Sequence, residues 1–589
     1  MEIDMSNVNF RIKGKNVVLN TKGKIDGTPD ELMNSGLFAE ILMRCVNDLK
    51  QKDSYLLGIF GKDGVSDEAV EKLKEALFYL TKQPADQVPN LVSGTDIFFK
   101  DLPLLGLFVE YLYNYWRSYD RFVVCVSEGD GLDKRPYRTF NQTIETLTHL
   151  VRGVYRDVQE NISGTHPRIY RQVHAGAEIG AIALPGKVKL SGDIYRKLDQ
   201  IPVIRQVLLN PPLILNPPNN RRTGQFIKVE TNPFSGLEFD AAEWLCYPAK
   251  VGSLLILIYF HEKFYELGFS LCNLFELADD EDLKNKPDAV YAYGAQGDYL
   301  DGLAKFPTVF HEDEENGILC AAVPGRDEFG YFGYLKKMVL TLHNIRMMKQ
   351  GKFPYHGAFV KIMLHGGIEK NILLIGDTGA GKSETLEAFR NLGADQMRDM
   401  IIIADDMGSI DINDGGDIVG YGTEIGAFLR LDDLRPGYAF GQIDRSIIMS
   451  PAQVNARIVM PVTTFESVIA GHNIDMVLYA NNYEEVDDDH PVIEQFNDVD
   501  RAFDIFREGT VMSKGTTTST GIVHSYFANI FGPAQYKELH DKLGRVFFNA
   551  FFTKKVYVGQ MRTRLGINGY ETTGPEESAR ALLDVIKGG

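Results

Sequence analysis

The sequence predicts an α/β protein with mixed sheets, in which a larger helix-rich N-terminal lobe precedes a sheet-based second domain. Three observations carry this expectation. At 589 residues the chain is too long for one ordinary core. From about Phe329 it reads as short apolar runs, AFVKIML, NILLIG, MIIIADD, ARIVMPV and DMVLYA, set apart by glycine and polar residues, as strands buried on both faces do. Upstream, apolar residues recur instead at helical spacing, in Leu37 to Leu49, Asp67 to Leu80 and Leu104 to Tyr119. A divide is therefore expected near residue 350, giving a lobe 1–350 and a second domain 351–589.

Composition narrows the classes of function. Hydrophobic residues make up 44% and charged residues 24%, the balance of a globular chain. Lys plus Arg total 62 against 80 for Asp plus Glu, and a formal charge of −18 would repel a phosphodiester backbone, so nucleic acid is not expected as a partner. The five cysteines, Cys45, Cys125, Cys246, Cys272 and Cys320, form no C-x-x-C pair, which argues against a disulfide framework or zinc knuckle and suits a reduced cytoplasm. The N-terminal MEIDMSNVNFRIKGK lacks a signal-peptide core, and the longest apolar run, Leu254 to Phe260, is stopped by His261, Glu262 and Lys263, so no membrane segment is expected. Asn210 to Arg222, NPPLILNPPNNRR, reads as an exposed irregular connection, and the acidic stretch Ala278 to Asp288 as a solvated loop.

One segment carries chemistry. Gly376, Asp377, Thr378, Gly379, Ala380, Gly381, Lys382 and Ser383 satisfy G-x-x-x-x-G-K-[ST], with an apolar strand (Asn371 to Ile375) before and a helix-like stretch (Glu384 to Asn391) after. In that context the glycines turn the backbone so that successive N–H groups face phosphate oxygens, and the new helix adds its positive end. Lys382 would reach the β- and γ-phosphates, and the Ser383 hydroxyl would ligate Mg²⁺. MIIIADD supplies the carboxylates such a site needs on a neighbouring strand, Asp405 and Asp406.

These residues resemble a known group. HGAFVKI, ILLIGDTGAGKSETLE and IIIADDMGSI are similar, in this order, to the kinase core of HPr kinase/phosphorylase, which makes His356, Lys382, Ser383, Glu384, Asp405 and Asp406 the matching site positions. Over the longer stretch from about Phe329 to Gly589 the chain resembles the phosphoenolpyruvate carboxykinases, which are related in fold. Their Y-x-G-x-x-K-K appears as Tyr331 to Lys337, their N-T-R-x-x-Y-P resembles Asn455 to Pro461, and the tail SARALLDVIKGG is similar to theirs. The resemblance implies a carboxykinase-like P-loop catalytic domain, preceded by a lobe that ends in the Tyr331–Lys337 segment. It implies Mn²⁺ held by Lys337, His356 and Asp406, and Arg457 on the transferring phosphoryl group. Tyr331, Lys336 and Arg457 are the expected substrate-side residues. Residues Gly376 to Glu384 would bind ATP, GTP or another phosphoryl donor, and the acceptor would be a small carboxylic acid. A lysine ligates a metal only when neutral, so Lys337 needs a depressed pKa.

The chain also departs from that family. Ser383-Glu384 follows the HPr kinase version of the loop, and Asn481 to Val486 replaces D-A-F-G-V-L-P-P. F-T-G-R-S-P, whose arginine holds the substrate carboxylate, has no counterpart; Arg168, Arg171, Arg221 and Arg222 are the replacement candidates. The segment Gly420 to Leu431 lacks the family's active-site lysine, with Arg430 close by. The leading expectation is nucleotide-dependent decarboxylation and phosphorylation of oxaloacetate or a similar acid. The alternatives are a kinase acting on a hydroxyl of a protein serine or small molecule, with Asp405 as base, and a nucleotide-binding regulator without catalysis.

Overall fold

The structure is a computed structural model that describes residues 9–21, 27–126, 134–166, 174–186, 188, 190–392, 396–431, 441–513, 521–532 and 535–588. It is mixed α/β with several mixed sheets. The chain parts into two compact units, one of residues 1–187 and 202–210, the other of 188–201 and 211–589. The divide expected near residue 350 falls inside the second unit, just after the helix Phe332–Lys349. That helix is buried on almost every face and packs against strands on both sides of it, so the chain does not part there.

In the first unit the hairpin Asn9–Lys13 and Asn16–Thr21 leads a sheet continued by Asp120–Val126, Ile179–Leu184 and Val203–Leu209. Its helices start where the sequence provides caps. Ser35 Oγ accepts from Phe38 N–H at 3.1 Å, Ser66 Oγ from Ala69 N–H at 3.1 Å and Asp101 Oδ1 from Leu104 N–H at 3.0 Å; each cap stabilises its helix by about 1 kcal/mol. The expected helices are found as Gly36–Gln51, Asp67–Leu80 and Leu102–Arg117. Their apolar faces meet in one core around Leu42, Cys45, Leu73, Leu77, Leu105 and Phe108.

The N-terminal 350 residues are less helical than their periodicity suggests. From Ile179 to Pro324 the helices are short and the longer regular elements are strands, including Trp244–Val251, Leu254–His261, Ala289–Ala295 and Ile318–Pro324. These four are buried almost throughout, so they show no polar alternation and their apolar runs do not declare a period. The irregular connection expected at Asn210 to Arg222 also contains a short strand, Leu213–Leu215, parallel to Ile447–Met449, because Leu213 and Leu215 are buried.

A second sheet of the second unit positions the candidate site. Its central strands run Met407–Ile412, Phe353–Leu364, Glu369–Ile375, Met476–Asn481 and Tyr557–Arg562. Phe353–Leu364 is long enough to pair with two successive strands along one edge, Met407–Ile412 at its start and Met397–Ala404 further on. A smaller sheet, Gly426–Arg430, Arg457–Pro461, Ile447–Met449 and Leu213–Leu215, completes the surroundings.

Candidate functional site

The strand Glu369–Ile375 runs parallel to Met476–Asn481, and its buried end, Ile372 to Ile375, delivers the glycine loop to the start of the helix Lys382–Leu392. Gly381 sits at φ 92°, and a Cβ there would stand 2.6 Å from Thr563 Oγ1, so the position requires glycine on both counts. The loop's carbonyls are held from behind. Thr563 Oγ1 donates to the Ala380 carbonyl at 2.7 Å and Asn482 Nδ2 to that of Gly379 at 2.9 Å, while Asn482 Oδ1 accepts from Met512 N–H at 2.8 Å. The Asn481–Val486 segment that departs from the carboxykinase pattern thus braces the loop. Lys382 Nζ donates to the carbonyls of Gly376 and Asp377, and burial lowers its pKa below the usual lysine value.

The two aspartates sit where the long strand changes partners. His356 pairs with Met407 and Phe359 with Ala404, which leaves Asp405 and Asp406 as the junction opposite Gly357 and Ala358. The Asp406 carbonyl accepts from Gly357 N–H at 2.9 Å. A Cβ on Gly357 would lie 2.3 Å from the Leu374 carbonyl oxygen, so the glycine after His356 lets the phosphate strand close against this one. The junction brings Asp406 Oδ1 to 2.9 Å from His356 Nε2 and Asp406 Oδ2 to 2.8 Å from Lys336 Nζ.

The lysine helix Phe332–Lys349 supplies two neighbouring amines with different fates. Lys336 is 1% exposed and lies 3.1 Å from Glu424 Oε1 as well. Burial works against its charge, yet Asp406 and Glu424 outweigh burial and hold the ammonium above the usual lysine range. Lys337 has its Nζ 4.7 Å from the centre of the Phe531 ring, and burial together with Arg222 pushes its pKa down to about 8. The neutral amine a metal needs is therefore within reach at Lys337 and not at Lys336. Burial raises both other acids, Asp405 to about 6 and Glu424 to about 8. Burial also opposes the charge of Asp406, but Lys336 and His356 keep that carboxyl well below the usual range.

The donor set suits a cation. His356 Nδ1 faces the Ala528 carbonyl, which can only accept, so Nδ1 carries a proton and Nε2 is the nitrogen turned to the Asp406 carboxylate. Two acceptors 2.9 Å apart are held together by a shared proton or a metal ion. Among the described residues no group of three His, Cys, Asp or Glu side chains stands ready to bind a metal; the set at hand is one His, one Asp and a lysine.

A cleft of about 210 Å³ gathers nearly all the residues singled out in the sequence: Tyr331, Lys336, Lys337, His356, Asp377, Thr378, Gly379, Gly381, Lys382, Ser383, Glu384, Asp405, Asp406 and Arg457. Gly376 and Ala380 stand behind it, the first as an acceptor for Lys382, the second packed on Ala480 and Val511. Arg430 lines the same cleft directly opposite Arg457 in the paired strands, and the Arg457 guanidinium lies 5.4 Å from the Phe428 ring centre. Of the replacement arginines, Arg222 is half-buried beside Phe226 and close enough to Lys337 to depress its pKa, whereas Arg221 is exposed. Arg168 and Arg171 lie outside the described residues.

Sequence reasoning missed Glu424, Phe428, Asn529 and Phe531. Glu424 alone left a trace, as a single acid inside the otherwise uncharged GYGTEIGAF. No protein-family model matches the chain, and no curated protein is similar enough in sequence to place it.

Proposed function

We propose that the protein is a carboxykinase-like enzyme that decarboxylates oxaloacetate or a similar acid and phosphorylates the resulting enolate from a nucleotide. The observation that carries this is the meeting of Lys337, His356, Asp406, Lys382, Ser383 and Arg457 in one cleft beside the glycine loop. A Mn²⁺ held by Lys337, His356 and Asp406 would supply positive charge for the enolate oxygen, and a Mg²⁺ at Ser383 would accompany the phosphates.

The chain's own groups do the rest. Loss of CO₂ breaks the carbon–carbon bond and leaves its electron pair on the enolate. The enolate oxygen then attacks the γ-phosphorus as the bond to the bridging oxygen breaks. Lys382, leaving its own loop carbonyls for the phosphates, and Arg457 spread the charge of the transferring group. Arg222, half-buried and close enough to Lys337 to lower its pKa, or Arg430 in the cleft wall would take the acid's carboxylate. No base is required, because the nucleophile carries no proton.

The test is oxaloacetate with ATP, GTP or pyrophosphate in Mn²⁺ and Mg²⁺. Phosphoenolpyruvate and CO₂ are expected; no turnover with any donor rejects the proposal. One observation favours a second reading, a kinase that phosphorylates a hydroxyl. Burial, with Asp406 adding to it, raises Asp405 to about 6, which suits a base that takes a hydroxyl proton near neutral pH.

A further inference from the structure

His356 is held by a turn of the wrong hand. Phe527, Ala528 and Asn529 are consecutive non-glycine residues at φ 42°, 56° and 61°, a left-handed backbone that crowds each Cβ against the next carbonyl. Such strain persists only where the surroundings over-determine it. Here they do. Phe527 is 2% exposed, and its ring centre lies 5.5 Å from Phe353, 5.7 Å from Phe503, 5.1 Å from Tyr526 and 4.8 Å from the His540 ring. Phe353 belongs to the strand that carries His356, so the ring that Phe527 packs on and the histidine share one element.

The turn also ends in the cleft. Asn529 and Phe531 line it, Lys337 rests on the Phe531 ring, and Asn344 of the lysine helix donates to the Phe531 carbonyl at 2.9 Å. The Ala528 carbonyl accepts the His356 Nδ1 proton. A right-handed or extended backbone at these three residues would turn that carbonyl away.

We infer that the turn Phe527–Asn529 is the positioning element of the metal site: the Ala528 carbonyl fixes His356 in the form that presents Nε2 beside Asp406, and Phe527 anchors that carbonyl. This rests on the metal reading proposed above. It assigns no contact with substrate to the turn, only the aim of His356.

Two variants and one spectrum test it in the full chain. Phe527→Leu should weaken Mn²⁺ binding, read by electron paramagnetic resonance, by about tenfold or more, while a fluorescent ATP analogue in EDTA binds within about twofold of wild type. Ala528→Gly keeps the carbonyl and accepts the left-handed backbone, so its Mn²⁺ affinity should stay within about twofold. Unchanged Mn²⁺ affinity in Phe527→Leu overturns the inference. Should that variant not fold, ¹⁵N spectra of histidine-labelled, metal-free wild type decide: His356 Nδ1 should carry a proton, and a bare Nδ1 overturns the inference by itself. A wild-type chain that binds no Mn²⁺ overturns the metal reading, and the positioning role with it, whatever the spectrum says of the turn.

Discussion

Lys336 and Asp406 form an ion pair of 2.8 Å in the wall of the cleft, with the lysine 1% exposed and the aspartate's other oxygen turned to His356. The carboxylate thereby serves two purposes, neutralising a buried ammonium and facing the histidine that would share a metal with it. A pair of this kind adds little net stability while intact, but breaking it leaves a buried charge behind.

Asp406→Asn should therefore be costly twice. Lys336 would keep Glu424 and the more distant Asp405, both with raised pKa values, and a loss of about 3 kcal/mol in urea unfolding is expected. Mn²⁺ binding should vanish with it. A variant as stable as wild type would show that Glu424 and Asp405 can carry the Lys336 charge without Asp406.

Glu424 predicts a pH dependence of stability. Its folded pKa, raised by burial to about 8, exceeds the ordinary 4.5, so between those values the folded chain keeps a proton the unfolded chain releases. Stability contributed by this group is complete below pH 4.5 and is lost as the pH rises towards 8. Glu424→Gln removes the effect, and its stability relative to wild type should climb across that window and level off beyond it. Urea unfolding at several pH values checks this; a difference that stays flat contradicts the assignment.

Asp405→Asn separates the two proposed reactions. Enolate phosphorylation needs no base, and turnover should fall by less than about tenfold. Transfer to a hydroxyl would lose about 10²-fold or more, and in wild type its rate would rise with pH through the Asp405 value of about 6.

Lys382→Met should leave the fold intact and reduce turnover by about 10²- to 10³-fold, the usual cost of removing one donor from a developing charge. Circular dichroism and a steady-state assay suffice. Activity close to wild type would remove the glycine loop from the chemistry.

Much of this site is written locally in the chain. The strand Glu369–Ile375, the loop and the helix Lys382–Leu392 follow one another as the motif requires, and MIIIADD becomes the strand Met397–Ala404 with both aspartates at its end. The family resemblance points to His356 and Lys337, and both line the cleft. What Lys336 does was not legible, because adjacent residues on a helix point about 100° apart and only packing decides which meets the carboxylates. The left-handed turn at Phe527 to Asn529 contains no glycine and so leaves no signal of its hand. The buried strands Trp244–Val251, Leu254–His261, Ala289–Ala295 and Ile318–Pro324 are apolar runs of the same kind as those read as strands after Phe329, but periodicity alone does not separate such a run from a buried helix.

The most direct measurement is diffraction at the manganese absorption edge from crystals soaked in Mn²⁺. The account predicts one anomalous peak in coordinating contact with Lys337 Nζ, His356 Nε2 and the Asp406 carboxylate. A peak that omits Lys337, with its amine still resting on Phe531, or no peak in the cleft at all, would contradict it.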